Sequence, residues 1–237
     1  MASIKPVTKI KAAKAGKLSR AHHAKAIAVL KGDERLATII TTIGAYEPSP
    51  PGDGFCALVR AIASQQVSKY ASDAILARLY ALFPAGQPDA YGLLKFRTPK
   101  LAGVGLSRRK VDYLRDLARH VADGRIVFDE LPHLPDEEVI ERLTAVKGIG
   151  RWTAEMYLLF TLGRPDVLPL GDVALVNVVR ELYELPEDAD HTHFGAIAES
   201  WRPWRSVAVW YLYRSINLQR AAAKEAAKLA KRAAAVA

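Results

Sequence analysis

The stretch Leu143-Thr-Ala-Val-Lys-Gly-Ile-Gly-Arg-Trp-Thr-Ala-Glu-Met-Tyr157 places two glycines between helical segments and decides the fold. The pattern predicts that one helix ends before Lys147, that Gly148-Ile149-Gly150 turns the chain, and that a second helix begins at Arg151. Glycine permits the positive φ and the close backbone approach that such a turn needs. The second helix would present unpaired N–H groups to a phosphate, flanked by the charges of Lys147 and Arg151. Taken alone, Gly-x-Gly between helices is more often a simple tight turn.

Outside this hairpin, the pattern is helical almost throughout. Thr98 is predicted to cap a helix with Pro99 at its first position, and Ser107 to cap the next helix. The segment Gly124–Phe128 is the one stretch with any strand character. Apolar residues recur three and four positions apart, as in Leu36, Ile39, Ile40 and Ile43. The sequence therefore predicts an all-α fold.

The composition restricts the class of protein. Half of the 237 residues are hydrophobic and a quarter are charged, which is typical of a globular chain. No apolar run reaches the roughly 18 to 20 residues of a membrane span, and the N-terminus has no apolar segment typical of a secretory signal. Cys56 is the only cysteine, which excludes an internal disulfide, a Cys₄ zinc site and a four-cysteine iron–sulfur cluster. We therefore expect a protein of the reducing cytoplasm, without such a cluster.

The net charge of +9 is concentrated at the two ends of the chain. Residues 1–31 hold eight Lys or Arg and no acid, while residues 214–237 hold six and one acid. The body between them is therefore slightly acidic. Basic ends favour a polyanion such as nucleic acid or an anionic membrane. Solvated, solubilising tails explain the same charge about equally well.

The segment Val146–Ala154, followed by Leu168-Pro-Leu-Gly-Asp172, resembles the helix-hairpin-helix (HhH-GPD) DNA glycosylase superfamily, which acts in base excision repair. Within it, the likeness is greatest to the alkylpurine branch, the DNA-3-methyladenine glycosylase II type. The likeness covers roughly residues 35–215. It implies two helical lobes with a cleft between them and an enzyme that flips out and excises alkylated purines, of the 3-methyladenine and 7-methylguanine class. Three further segments agree in the same order: Ala61–Ser68, Gly105–Lys110 and Trp201–Ser206.

The resemblance divides the chain into three parts. A basic N-terminal arm covers residues 1–30, of which 1–17 are expected to be mobile. The two-lobe glycosylase domain covers 31–213, with its hairpin at about 143–156. A basic helical extension covers 214–237.

Asp172 matches the catalytic aspartate of the family. Read by itself, Gly-Asp before an apolar run is typical of a helix N-cap. The two interpretations are compatible, because a helix N-terminus stabilises the anion. An anion at this point can stabilise the oxocarbenium-like sugar that forms when an N-glycosidic bond breaks.

Three residues match the family's base pocket, and one of them, Trp152, also bears on the expected lyase activity. Trp152 stands where lyase-active relatives carry a lysine that attacks the sugar, so no lyase activity is expected. Trp152 and Tyr213 match aromatic residues that stack on a flipped, cationic base, although ordinary core packing explains most aromatic residues. Met156 stands where relatives often carry an aromatic residue, which implies a roomier or less selective pocket.

Gln65 and Gln66 match the loop that enters the minor groove and fills the gap left by the flipped base. Gln66 is polar where some relatives carry a leucine wedge, so hydrogen bonds would partly replace apolar insertion. Two solvated glutamines after a helix are the plainer explanation. Arg108, Arg109 and Lys110 could contact phosphates or be a solvated basic turn. The DNA-binding set implied by the resemblance is Gln65, Gln66, Lys147, Gly148, Gly150, Arg151 and Thr153.

The resemblance implies no required cofactor and one structural ion. The carbonyls of Thr144, Val146 and Ile149 match the family's site for a monovalent cation, Na⁺ or K⁺. The implied partner is double-stranded DNA that contains alkylated bases, with the protein a monomer in the cytoplasm, associated with the nucleoid. The alternative is a non-catalytic helix-hairpin-helix DNA-binding protein, in which Asp172 is only a cap.

Overall fold

The computed structural model describes residues 20–48 and 52–234. Within these residues the chain forms twelve α-helices and no strand, so the predicted all-α class is confirmed. None of these helices is long and apolar enough to cross a membrane. The arm predicted to be mobile, residues 1–17, lies outside the described residues. The helices are α1 (Arg20–Leu30), α2 (Glu34–Ile43), α3 (Gly54–Ser64), α4 (Lys69–Tyr80), α5 (Ala90–Lys95), α6 (Thr98–Ala102), α7 (Arg108–Ala122), α8 (Asp136–Thr144), α9 (Arg151–Tyr157), α10 (Val173–Leu182), α11 (His191–Ala198) and α12 (Arg205–Ala234).

Most of the predicted helix starts are confirmed. The Ser107 hydroxyl accepts a hydrogen bond from the Lys110 N–H at 3.3 Å and caps α7. The prediction that Thr98 is an N-cap is wrong by one residue, because Arg97 holds that position and makes no side-chain cap. The segment 124–128 forms a turn and irregular chain rather than a strand.

The helices form two groups that match the expected lobes. The middle of the chain builds the first lobe, where α3 packs on α4, α7 and α9, α5 and α6 pack on α7, and α8 packs on α9. Both ends of the chain build the second lobe, where α2 packs on α1 and α12, and α10 packs on α11 and α12. The connection from α9 to α10 passes from one lobe to the other, and Asp172 lies at its end.

The N-terminal arm contains a packed helix. α1 buries Ala26 and Leu30 and packs on α2. Residues 20–30 therefore join the second lobe through this apolar contact, although the sequence grouped them with the basic arm.

The last helix, α12, has two different halves. Its first half crosses the core and buries residues through Ile216. From Asn217 onward every side chain that the structure describes is exposed. The helix continues without a break from the lobe into the basic extension.

Candidate active site and nucleic-acid interface

Asp172 is the N-cap of α10, as its sequence context predicts. Its Oδ1 accepts hydrogen bonds from the Ala174 and Leu175 N–H groups at 2.9 and 3.0 Å. These bonds satisfy two of the backbone donors that a helix N-terminus leaves unpaired. The residue is only 7% exposed. Its carboxylate is therefore held in one orientation and largely removed from water.

The second carboxylate oxygen joins the two lobes. Oδ2 of Asp172 accepts from the Trp152 indole N–H and from the Tyr213 hydroxyl, both at 2.6 Å. Trp152 lies in the first turn of α9, in the first lobe, and Tyr213 lies on α12, in the second. Burial raises the pKa of Tyr213, and its hydrogen bond to Asp172 raises that pKa further. Tyr213 therefore stays a donor, and the Asp172 carboxylate accepts hydrogen bonds from four donors in all.

The three residues matched to the base pocket lie together around this carboxylate. Trp152 is 49% exposed, and Sδ of Met156 lies 3.5 Å from the Tyr213 hydroxyl oxygen. Phe160, which sequence reasoning missed, packs its ring 6.1 Å from the ring of Tyr213. Phe160 lies in a π-helical turn, Leu158–Leu162, that continues α9. Trp152, Met156 and Phe160 are spaced four apart, a signal that was available in the sequence.

A cavity of about 800 Å³ lies between α3 and α9 beside these residues. Met156 and Phe160 form part of its wall, as does Thr153, which is buried. Thr153 therefore lines this cavity as well as lying in the first turn of α9. The α3 side of the wall includes Cys56, Ala57, Arg60, Ala61 and Ser64.

Gly148 is the glycine that the hairpin itself requires. Its φ is +84°, a conformation that residues with a Cβ rarely adopt. A Cβ at this position would lie 2.1 Å from the Tyr113 ring on α7. The carboxylate of Asp116, one turn farther along α7, accepts from the Lys147 N–H at 2.9 Å. The turn is thus held against α7 by close packing and by one hydrogen bond.

Gly150 is different, because nothing in the described protein requires a glycine there. Its φ is −93°, and a Cβ would meet no atom within 4 Å. Gly150 is the N-cap of α9 and provides no side-chain cap. The N–H groups of Arg151, Trp152 and Thr153 therefore have no acceptor among the described residues. The expectation that both glycines serve the turn is wrong for Gly150, whose surroundings leave room for a ligand.

The two charged residues of the hairpin differ in their pairing. The Arg151 guanidinium makes a two-point ion pair with Glu137, at 2.5 and 3.0 Å, and its Nε donates to Glu155 at 3.0 Å. Burial raises the pKa of Glu155, an effect that Arg151 opposes. Lys147 is exposed, and its ammonium pairs with no carboxylate in the described part of the chain. Lys147 therefore offers a phosphate an unpaired charge, whereas Arg151 is already engaged.

The two glutamines of the loop between α3 and α4 have separate positions. The Gln65 amide donates to the Gly148 carbonyl at 2.8 Å and so fastens the loop to the hairpin. Gln66 is exposed, with a φ of +54° that is uncommon for a residue with a side chain. Gln65 thus positions the loop, and Gln66 projects from it. Nearby, Lys110 donates to the Ala63 carbonyl at 2.8 Å, and burial lowers its pKa.

The hairpin carbonyls matched to the cation site differ in their bonding. The Val146 carbonyl accepts from the Ile149 N–H at 3.1 Å. The carbonyls of Thr144 and Ile149 accept no hydrogen bond within residues 20–48 and 52–234. In the same residues, no three His, Cys, Asp or Glu side chains are arranged to hold a metal ion.

Comparison with known proteins places this geometry in a family. Residues 59–205 match the model of the HhH-GPD superfamily base excision DNA repair proteins. The chain is 35% identical to DNA-3-methyladenine glycosylase 1 of Schizosaccharomyces pombe over 193 residues, which are 78% of this chain and 84% of that protein.

Solved structures show the same fold. The Schizosaccharomyces pombe 3-methyladenine DNA glycosylase Mag1, in complex with abasic DNA, superposes with a TM-score of 0.73 at 36% identity, over 80% of this chain and 95% of that one. The DNA-3-methyladenine glycosidase of Bacillus halodurans gives a TM-score of 0.71 at 36% identity, over 79% and 86%. The chain therefore belongs to the HhH-GPD superfamily of base excision DNA repair proteins, as the sequence resemblance implied.

Proposed function

We propose that this protein is a monofunctional DNA N-glycosylase that excises alkylated purines from double-stranded DNA in base excision repair. The observation that carries the proposal is the buried Asp172 carboxylate, held by four donors beside the half-exposed Trp152. The names of its relatives, which are DNA-3-methyladenine glycosylases, support the substrate class. Within that class we favour the DNA-3-methyladenine glycosylase II type.

The proposed reaction breaks the bond between C1′ of the sugar and the purine nitrogen. The base leaves with the electron pair of that bond, and because an alkylated purine is already cationic, it departs as a neutral molecule. The sugar is left with oxocarbenium character, which the anionic Asp172 stabilises. Water then adds to C1′ and loses a proton to solvent. Because Asp172 is desolvated, its charge acts at short range with little screening.

The flipped base is proposed to lie against the exposed face of Trp152, beside Tyr213 and Met156. An aromatic face attracts a cationic base through its quadrupole. The Trp152 indole N–H donates to Asp172, so its ring has a fixed orientation before the base arrives. The neighbouring Phe160 extends this apolar wall.

The absence of lyase activity follows in this proposal from Trp152. An indole cannot form the Schiff base that a lysine amine would form with C1′. The product is then an intact strand with an abasic site. The proposal requires no cofactor and no iron–sulfur cluster.

The DNA contacts are proposed to come from the hairpin and from the loop that Gln65 fastens to it. A phosphate would sit against Gly150 and the first-turn N–H groups of α9, with Lys147 alongside. Gln66 would enter the minor groove. Gly150→Ala tests the phosphate contact, since the structure accommodates the methyl group. We expect weakened binding to every duplex and a loss of at most about 1 kcal/mol of stability, because alanine is a poorer N-cap than glycine. Gly148→Ala, which collides with Tyr113, should instead destabilise the fold. Native affinity of Gly150→Ala would overturn the phosphate contact.

We also propose a structural Na⁺ or K⁺ at the carbonyls of Thr144, Val146 and Ile149. The two carbonyls without a donor support this assignment, because oxygen ligands suit hard cations. Such an ion would add positive charge beside the phosphate. Duplex affinity should then fall when K⁺ is replaced by a bulky organic cation at constant ionic strength. Equal affinity in both salts would contradict the assignment.

The partner in this proposal is duplex DNA, the protein acts as a monomer, and its site of action is the cytoplasm, at the nucleoid. The test is the release of free base from duplexes that each carry one lesion, with strand integrity scored in parallel. We expect release of alkylated purines, intact strands, and no protein–DNA adduct after borohydride treatment. Binding without release from any lesion would favour the non-catalytic DNA-binding alternative. A trapped adduct would show that an amine acts as nucleophile.

A further inference from the structure

Three basic residues in the distal half of α12 lie on one side of the helix. Beyond Ile216 the helix runs through Asn217 to Ala234, and every side chain that the structure describes there is exposed. Arg220, Lys224 and Lys228 are spaced four apart, so they form a stripe along one face. We call these three residues the basic stripe. All three are exposed.

The basic stripe lies on the same face of α12 as Tyr213. Arg220, Lys224 and Lys228 follow Tyr213 by seven, eleven and fifteen residues, which at about 100° per residue places them within about 60° of its direction. Tyr213 points toward the cleft, because its hydroxyl donates to Asp172. The stripe therefore extends the side of the helix that faces the site, beyond the edge of the protein body.

The length of this distal part of α12 matches a short stretch of duplex. At about 1.5 Å per residue the 18 residues from Asn217 to Ala234 extend about 27 Å, which corresponds to about eight base pairs. Within the described side chains of this segment, Glu225 is the only acid, and its oxygen lies 3.7 Å from Lys228. An exposed pair at this distance is weak and leaves Lys228 available for another anion.

We propose that the basic stripe binds the phosphate backbone of the duplex that flanks the lesion. The inference rests on the proposed function for the position of DNA at the cleft. The stripe is positively charged, so a polyanion is the complementary partner. Because the stripe lies on the face of α12 that carries Tyr213, that polyanion would be the duplex on one side of the lesion. The opposite face offers a membrane or a helical partner little apolar area, since Leu218 and Leu229 are its two large apolar residues.

The test compares three variants of the full chain. In the first, Arg220→Gln, Lys224→Gln and Lys228→Gln remove the basic stripe. The second keeps the composition but moves two lysines to the far side of the helix, through Lys224→Ala, Ala226→Lys, Lys228→Ala and Ala230→Lys. The control changes the opposite face, through Leu218→Gln and Leu229→Gln. Because all these positions are exposed, circular dichroism and thermal melting should match wild type.

The measurement is affinity for an undamaged duplex between roughly 50 and 200 mM salt. The slope of log K against log salt is negative, and its magnitude should fall by about three for the first variant and by about two for the second, because each lost phosphate contact removes about one unit. The control should keep the wild-type slope. A wild-type slope in the first variant would overturn the inference. A wild-type slope in the second would also overturn it, because the position of the charges on the helix would then make no difference to DNA binding.

Two further features of the test distinguish DNA binding by the stripe from membrane binding and from the proposed catalytic role of Asp172. Anionic phosphatidylglycerol vesicles replace DNA in a parallel assay. If removal of the stripe abolishes vesicle binding and leaves the DNA slope unchanged, the segment is a membrane anchor and the inference fails. Undamaged duplex is not cleaved, so the result stands even if Asp172 proves not to be catalytic.

Discussion

Two carboxylates in this protein have the same hydrogen-bond pattern and different surroundings. Asp33 caps α2 as Asp172 caps α10, and in each residue Oδ1 accepts from the N–H groups two and three positions ahead. Oδ2 of Asp33 accepts from the Tyr183 hydroxyl at 2.5 Å and the Trp201 indole at 3.2 Å. Oδ2 of Asp172 likewise accepts from one tyrosine and one tryptophan.

The aromatic partners make the difference between the two sites. Trp201 is 1% exposed and packs against Phe194 and Tyr183, so its ring has no free face. The Arg35 guanidinium covers the Tyr183 ring at 5.6 Å. At Asp172, by contrast, the carboxylate is buried but Trp152 is half exposed beside a cavity wall. A carboxylate with several donors can stabilise a helix at either site. We propose that it becomes a reaction site only at Asp172, where a partner ring is open to a ligand.

The largest stability effect tests whether the two carboxylates are equivalent as caps. Asp33→Ala and Asp172→Ala each leave four donors without their acceptor and remove an N-cap. We expect each to lower the free energy of unfolding by about 3 kcal/mol. Urea denaturation measures both variants. A loss at one position and none at the other would break the equivalence.

Substitution of the two tryptophans should destabilise the protein to different degrees. Trp201→Phe removes buried volume and a hydrogen bond, so we expect a loss of about 2 kcal/mol. Trp152→Phe changes a half-exposed ring and should cost less than about 1 kcal/mol of stability. Thermal melting checks the order of the two values. The reverse order would mean that Trp152 is a core residue, as an aromatic residue usually is.

The tyrosine partners provide a smaller, matched effect. Tyr183→Phe and Tyr213→Phe each remove one hydrogen bond to a carboxylate while keeping the ring. We expect both to lose about 1.5 kcal/mol, measured by urea denaturation. If Tyr213→Phe is neutral, the bond from Tyr213 to Asp172 adds nothing to the packing of α12 on α10.

The smallest effect is a pH dependence at Asp33. Burial raises the pKa of Asp33, but the hydrogen bonds from Tyr183 and Leu36 outweigh it and hold the pKa below its usual value. A pKa lowered on folding adds stability above the usual value of about 3.9, and this stability disappears as the pH falls through the folded-state pKa. The stability difference between wild type and Asp33→Asn should therefore be constant near neutrality and shrink in acid. A difference that grows in acid has the wrong sign for this account.

The parts of the molecule that the sequence predicted are those with local signals. The hairpin, the Ser107 cap and the Asp172 cap each depend on residues within a few positions of one another. Contacts between distant residues carried no such signal: Arg151 pairs with Glu137, and Asp33 binds a tyrosine and a tryptophan about 150 and 170 residues away. The family resemblance identified Asp172 and omitted Asp33, although their bonding is alike. At Gly150 a local signal misled, because the sequence suggested a glycine required by the backbone conformation of the turn. The open space around Gly150 is visible only in three dimensions.

The most direct test measures single-turnover release of an alkylated purine by Asp172→Asn and by Asp33→Asn in the same assay. Both variants keep an acceptor for the two backbone N–H groups, so both should fold and bind lesion DNA. We expect Asp172→Asn to be slower than wild type by roughly 10²–10³, because the anion that faces the sugar cation is gone, whereas Asp33→Asn should release base at the wild-type rate. Wild-type release by Asp172→Asn, or an equal loss in both variants, would contradict a catalytic role for the Asp172 carboxylate.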